Sequence, residues 1–450
     1  MSAILRPAYQ SRVRQTAQSA RTFLKIASMR HQPELLVDRA EKIRNFYDRY
    51  PYPRPVESLD DYKQLWQDHG RRRADFHLFW PAHDYREDQS ILVAGCGTSQ
   101  AAKHALRWPA AQVVGADCSA TSVGHTEDLR RKHNLKNLQV YQIPIERISE
   151  LGMTFDQIVC TGVLHHLEDP DAGLSSLRRA LKWDGAMHLM VYAPYGRAGI
   201  YLLQEFCRRL DIRPTDDEIS SLMAALRALP EGHPLQTLLA QAPDFRNEAA
   251  LADALMNPKD RAYSVPQLFE LIENAGLRFG RWVRQAPYSA NCGVMTKLPQ
   301  ASRMAHLSLE EQYAAIELFR GTMTRHSVVA YRNDCNTNPQ PFNGDRDDWL
   351  SYVPIRMSDT LCINDRSIRD RLPTGAVAVL FNRAHTYRDL LLPINAAEQR
   401  VFAAIDGHRS VADILERTAS SSDDLDSPRV FFERLWWHDQ VVFSNVQVAA

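Results

Sequence analysis

The sequence predicts an α/β protein: a largely parallel sheet covered by helices on both faces, followed by α+β units towards the C-terminus. Three observations predict it. From about residue 90, short apolar segments alternate with helix-like stretches, the pattern of strands buried on both faces. The first apolar segment breaks into a glycine turn, "ILVAGCGTSQ" at 91–100, just where a helix begins. After residue 301 the alternation gives way to short helices mixed with β-type runs such as "GAVAVLF".

Taken in order, residues 1–33 carry Arg6, Arg12, Arg14, Arg21, Lys25 and Arg30 with no acidic residue, while Val13, Ala17, Ala20, Leu24 and Ala27 recur at helical spacing. This predicts a basic amphipathic helix docked on the body, with a transit segment or a partner- or nucleic-acid-binding arm as alternatives. "FYDRYPYPRPV" at 46–56 interleaves prolines with aromatics, so a stiff extended strap presents Tyr50 and Tyr52. Residues 1–85 are thus an N-terminal helical cap with a Tyr/Pro-rich strap. Strands are expected at Ile91–Ala94, Gln112–Ala116, Leu138–Gln142, Phe155–Cys160 and Ala186–Tyr192, with helices near 100–107, 121–133 and 171–182. The helical stretch 198–256 reads as an inserted lid. "YSVPQLFELIENAGLRFGRWVRQ" then reads as a capped helix, a stop at Gly276 and a further strand, closing a sheet domain over 86–300. Residues 302–327 are helix-like and open an α+β accessory domain over 301–390. Residues 391–450 hold three short helices and a strand, a winged-helix-like order.

Composition narrows the function. A chain of 450 residues exceeds one ordinary domain. Lys+Arg and Asp+Glu both total 54, so no overall field draws the chain to nucleic acid or membrane, and no apolar run is long enough to cross a bilayer. Residues 391–450 contain five Arg and no Lys against nine acids, which tells against DNA. Seven scattered cysteines without a CxxC pair predict a reduced, cytoplasmic protein with no metal site.

A glycine turn between a first strand and a first helix brings backbone amides close to a ligand and aims the positive helix end at it. A P-loop needs Gly-Lys-Ser/Thr, which is absent, and a dinucleotide turn prefers glycine or alanine where Gln100 stands. Asp117, twenty residues after Gly97 in "VVGADCS", suits ribose hydroxyls of either NAD or an adenosyl sulfonium. By itself the turn leaves both open.

The next segment separates them. "FDQIVCTGVLHHLEDPDAGLSSLRRALKWDGAMHLMVYAP", 155–194, resembles the fourth-to-fifth-strand region of class I S-adenosylmethionine-dependent methyltransferases: Asp156 opens the fourth strand, "TGVLHHL" passes under the cofactor, and Gly185 is retained before strand five. With "YPYPRPV" upstream, "ILVAGCGT" is similar to a bacterial subgroup of that family carrying "ILVAGCGTGQ" after a "PYPR"-containing segment. The resemblance implies a Rossmann-like seven-stranded sheet with the helical cap, the lid insertion and the C-terminal α+β domains, and S-adenosylmethionine as cofactor. It implies that Gly95, Cys96, Gly97 and Thr98 line the methionine part and that Asp117 holds the ribose. Cys118, Ser119, Pro144, Ile145 and Glu146 would then border the adenine. Thr161, Gly162 and Val163 would lie under the cofactor, with His166 beside it. Two positions depart from the family pattern: Val93 stands where an acid commonly binds the cofactor's amino end, and Ser99 replaces a third glycine. Tyr50 and Tyr52 are the first candidates to compensate.

Methyl transfer from a sulfonium needs a lone pair in line with the methyl carbon, and a base only when the acceptor arrives protonated. His165, Tyr192 and Tyr52 are the candidates for catalytic contact. Tyr195 and Arg197 are further candidates to meet the acceptor. The expected acceptor is a protein or peptide side chain positioned by the extra domains, with a small molecule under the lid as the alternative and a non-catalytic, cofactor-sensing protein as a third reading. Neither DNA nor membrane is an expected partner, and homodimerisation is left open.

Overall fold

The computed structural model describes residues 33–241, 248–335, 341–342, 347–365, 372–419 and 427–446. The basic helix expected within residues 1–33 lies outside the described residues. Helices α1 (Pro33–Arg49), α2 (Asp60–Leu65) and α3 (His69–Phe79) precede a seven-stranded sheet. Its strands are β1 (Ser90–Ala94), β2 (Gln112–Asp117), β3 (Leu138–Gln142), β4 (Phe155–Thr161), β5 (Leu181–Tyr192), β6 (Leu277–Trp282) and β7 (Arg325–Arg332), ordered β3-β2-β1-β4-β5-β7-β6. The first five run parallel, and β7 enters antiparallel between β5 and β6. This is the Rossmann-like methyltransferase sheet that the resemblance implied.

The apolar runs form central strands because alternate side chains enter two different cores. Leu92 and Ala94 join one core with Ile158, Cys160, Met187 and Leu189. Ile91 and Val93 join the other with Val113, Val159 and Ala186. Helices α4 (Gln100–Arg107), α5 (Ala120–Lys132) and α6 (Pro170–Ala180) fill the crossovers, and a short 3-10 segment, Ile145–Leu151, links β3 to β4. At the amino edge of the sheet Asp156 ties three strands together. It accepts from the Ser90 amide at 2.7 Å and the Ser90 hydroxyl at 2.8 Å, and it pairs with Arg86 at 2.7 Å and Lys182 at 2.9 Å.

Between β5 and β6 the chain runs through α7 (Ala198–Arg209), α8 (Asp216–Leu226), α9 (Pro234–Gln241), α10 (Glu248–Met256) and α11 (Val265–Asn274). The first four pack with Phe46 and Tyr50 of the N-terminal segment in a core of their own, which includes Ile200, Leu203, Ile219, Leu222 and Leu251.

The stretch 302–327, read as helix-like throughout, divides into α12 (Leu309–Arg320) and the start of β7. Gly321 ends the helix at φ +62°, a conformation glycine adopts without penalty. The sheet therefore takes its seventh strand from beyond residue 300. Downstream lie β8 (Val353–Arg356), β9 (Thr360–Ile363), β10 (Ala378–Asn382) and β11 (Leu392–Ile394). Helices α13 (Ala396–Ala404), α14 (Val411–Thr418) and α15 (Pro428–Trp437) and strand β12 (Val441–Ser444) complete the chain. The three helices and final strand are where the sequence places them, but β12 pairs with β8 instead of closing a wing within its own unit. One core runs from Trp349 through Leu380 and Phe402 to Phe443, so the described residues on either side of 390 pack as a single α+β body.

That body is joined to the sheet by a buried charge. Asp439, 1% exposed, accepts from the Gln285 and Ala286 amides at 2.9 and 3.0 Å, bonds His385 at 2.9 Å and lies 3.6 Å from the buried Arg281. Burial alone would raise its pKa, but His385 and Arg281 hold the carboxyl below its ordinary value.

Candidate cofactor site

Strand order reverses at β1, which has β2 on one side and β4 on the other. In an open α/β sheet this makes a crevice beyond the carboxyl ends of the strands. A cavity of about 440 Å³ occupies it, within the range of roughly 300–1,000 Å³ usual for small-ligand sites.

Its floor is the glycine turn. The Gly95 and Cys96 amides donate to the Ala116 carbonyl at 2.8 and 2.9 Å, folding the turn onto the end of β2. Gly95 and Gly97 sit at φ +68° and +53°. A Cβ on Gly95 would lie 2.3 Å from Val163 Cγ2, so this glycine lets the loop after β4 close on the loop after β1. Asp117 accepts from the Gly97 amide on Oδ2 and from the Ser119 amide on Oδ1, both at 2.9 Å. Burial raises its pKa against the opposing pull of those amides.

Thirteen further positions named from the sequence divide as follows. Tyr52, Cys96, Cys118, Pro144, Ile145, Glu146, Thr161, Gly162, Val163, His166 and Tyr192 line the cavity together with Gly95, Gly97 and Asp117. Thr98 and Ser119 lie behind the wall. The Thr98 hydroxyl donates to the Pro53 carbonyl at 2.7 Å, fastening the strap over the turn, and the Ser119 hydroxyl donates to Asp48 of α1 at 2.6 Å. Two more positions turn away. The Tyr50 phenol donates to the Pro214 carbonyl at 2.8 Å, under the helical lid. His165 is fully buried with neither ring nitrogen hydrogen-bonded, and its ring lies 3.8 Å from that of Tyr192. Burial drives its pKa well below the usual value. His165 therefore supports Tyr192 from beneath, while its neighbour faces the cavity.

His166 Nδ1 lies 2.6 Å from the Lys259 carbonyl. A carbonyl only accepts, so Nδ1 carries the proton and Nε2 keeps its lone pair in the neutral ring. The thiols are poor nucleophiles: burial pushes Cys118 up to about 12 and holds Cys96 well above its ordinary value, so both stay protonated.

Several lining residues were not among the site candidates read from the sequence. Gln100 accepts from the Thr161 hydroxyl at 3.1 Å, joining the start of α4 to the end of β4. Tyr47, Asp253 and Arg325 come from α1, α10 and β7. Only Gln100 stood next to a recognisable motif. Arg197 also lines the cavity, with its guanidinium 3.5 Å from the Tyr192 ring centroid and 3.0 Å from Asp260. Among the described residues no cluster of three or more His, Cys, Asp or Glu is placed to hold a metal ion, and no helix is long and apolar enough to cross a membrane.

Residues 92–187, spanning β1 to β5, match the family described as "Methyltransferase domain". The chain carries a methyltransferase domain. Around that domain, the chain is 27% identical over 333 residues to an uncharacterized protein of Synechococcus, covering 70% of this chain and 76% of the relative. In fold it is similar to PKMT2 from Rickettsia typhi, at 13% identity and TM-score 0.58, covering 84% of this chain and 75% of that one. The same protein in complex with AdoHcy gives a TM-score of 0.56 at 13% identity, over 82% and 73% of the two chains. The likeness in fold thus extends beyond the methyltransferase domain into the flanking elements.

Proposed function

We propose that this chain is an S-adenosylmethionine-dependent methyltransferase that modifies a protein or peptide side chain by in-line methyl transfer. The observation that carries the reading is Asp117, held by two loop amides at the mouth of the β1–β4 crevice, facing a cavity whose glycine floor admits no Cβ at Gly95. The similarly folded PKMT2 takes AdoHcy.

Bound there, the cofactor supplies an electrophilic methyl group on a sulfonium. Gly95, Cys96 and Gly97 border its methionine end, and Asp117 accepts from the ribose hydroxyls. Cys118, Pro144, Ile145 and Glu146 border the adenine, and Thr161, Gly162 and Val163 form the wall beneath. Gln100 and Thr161 offer the polar contact that Val93 lacks at the amino end, and Arg325 offers a cation for the carboxylate. Tyr52, strapped over the turn, excludes water from that end. His166 Nε2 and the Tyr192 phenol face the acceptor, the first as a site for the proton it releases.

A protein acceptor accords with the large C-terminal body, which the methyltransferase domain does not need for a small substrate. A small apolar acceptor is the second reading, favoured by Leu238, Ala250 and Ala254, which the lid helices turn into the cavity. Calorimetry with S-adenosylmethionine and S-adenosylhomocysteine, followed by label transfer from the methyl-labelled cofactor into fractionated extract, tests both. Label in protease-sensitive material supports the first reading, and label in organic extracts supports the second. Absence of cofactor binding overturns the two together.

A further inference from the structure

The acceptor half of the cavity contains a carboxylate that no cation pairs with among the described residues. Asp253, on α10, is 3% exposed and lines the cavity. Its Oδ1 accepts from the Tyr47 phenol at 2.9 Å and from the Asn257 amide at 3.1 Å, while Asn257 also reaches Tyr47 Oη at 3.0 Å. Its Oδ2 takes no hydrogen bond or ion pair among the described residues.

Of the cations around this region, Arg325 is assigned to the cofactor's carboxylate and two others are paired. Arg197 pairs with Asp260 at 3.0 Å, and Lys259 pairs with Glu168 at 3.4 Å. Asp117, by contrast, has a loop amide on each of its oxygens. Asp253 Oδ2 is not among the buried atoms that lack a partner, so it opens to the cavity, where a cationic guest reaches it. The rings around it favour the same guest. Tyr47 lines the cavity with its ring centroid 6.1 Å from that of His166, and a phenol face attracts an alkylammonium; the Tyr192 ring, already covered by Arg197 and His165, offers its hydroxyl instead.

Building on the methyltransferase reading, we propose that Asp253, with Tyr47 and Tyr192, is the acceptor subsite for a primary alkylammonium group, so that the enzyme methylates an amine nitrogen. The Asp253 carboxylate draws the cationic end of the acceptor into the cavity. An ammonium has no lone pair, so one proton must leave first, passing to His166 Nε2 and on to solvent. The amine lone pair then forms the nitrogen–carbon bond as the carbon–sulfur bond breaks and its electron pair passes to sulfur. The methylated ammonium product sheds its proton to solvent. A carboxylate acceptor would be repelled by Asp253, and a hydroxyl would leave the buried charge unpaired.

The test measures binding of n-butylammonium and of 1-butanol to the full chain saturated with S-adenosylhomocysteine, by calorimetry. The wild type is expected to prefer the ammonium by about tenfold or more, the value of a hydrogen bond to a charged partner. Asp253→Asn should abolish that preference without changing S-adenosylhomocysteine affinity, and Asp253→Glu should restore it, which loss of folding would not do. Equal binding of the two probes to the wild type, or a preference that persists in Asp253→Asn, overturns the assignment. Failure of S-adenosylhomocysteine itself to bind overturns the methyltransferase reading, and the subsite falls with it.

Discussion

Asp117 accepts the Gly97 amide at 2.9 Å, so the carboxylate that ends β2 also braces the turn that ends β1. One side chain therefore orders the floor of the site and presents charge to its ligand. Replacing it with asparagine should weaken S-adenosylhomocysteine binding by about 10- to 150-fold, from the 1.5–3 kcal/mol of a charge-assisted bond. Calorimetry on Asp117→Asn checks this, and unchanged affinity would remove Asp117 from the site.

Gly95→Ala combines two penalties. The residue sits at φ +68°, which costs an L-residue about 1–2 kcal/mol, and the new Cβ would lie 2.3 Å from Val163 Cγ2. Urea denaturation should show a stability loss of at least that size, and cofactor affinity should fall as Val163 is displaced. Gly152→Ala, at φ +63° with open space around it, should show the backbone penalty alone.

Asp156 gives a pH signature. Burial raises its pKa, but the Ser90 amide and hydroxyl, Lys182 and Arg86 prevail and hold the carboxyl at about 2 against an ordinary 3.8. A depressed carboxyl contributes stability that is present above 3.8 and lost as pH falls through about 2. Arg86 and Lys182 are 44% and 39% exposed, and screening reduces the contribution to about 1–2 kcal/mol. Asp156→Asn should be less stable than the wild type by that amount at neutral pH, and the difference should close between pH 4 and 2 in equilibrium denaturation.

Asp439→Asn tests the joint between the C-terminal body and the sheet. Asparagine tolerates the φ of +53° at this position, so the substitution removes charge without straining the turn. It leaves Arg281, 5% exposed, without its carboxylate, a loss of about 3–5 kcal/mol. Thermal unfolding followed by tryptophan fluorescence should shift down, and limited proteolysis should release the C-terminal segment earlier.

His165→Leu separates support from chemistry. The ring is buried and neutral beneath Tyr192, so its loss should cost the stacking contribution of about 0.5–1.5 kcal/mol and leave the pH profile of methyl transfer unchanged. His166→Asn should alter that profile. A changed profile in His165→Leu would give the proton-handling role to His165.

The parallel half of the sheet was legible because most of its strands are apolar runs set between helices, and the glycine turn sits at the junction. The last antiparallel strand was hidden. Arg325–Arg332 pairs with Ala186–Tyr192 and with Leu277–Trp282, and neither distant pairing leaves a local periodicity to read. In the same way β12 looked like part of a closed C-terminal unit until its partner proved to be β8.

For the site, the sequence by itself determined the wall built from motif loops: residues on both sides of Gly95, Asp117 and Gly162 converge because they end adjacent parallel strands. Only the tertiary structure decided which of two adjacent histidines faces the cavity, that Tyr52 and not Tyr50 reaches it, and that Tyr47, Asp253 and Arg325 complete it. The physical reason is range. Strand ends are set by local pattern and parallel pairing, whereas a side chain from a distant helix takes its direction from packing, which is settled only when the whole chain has closed.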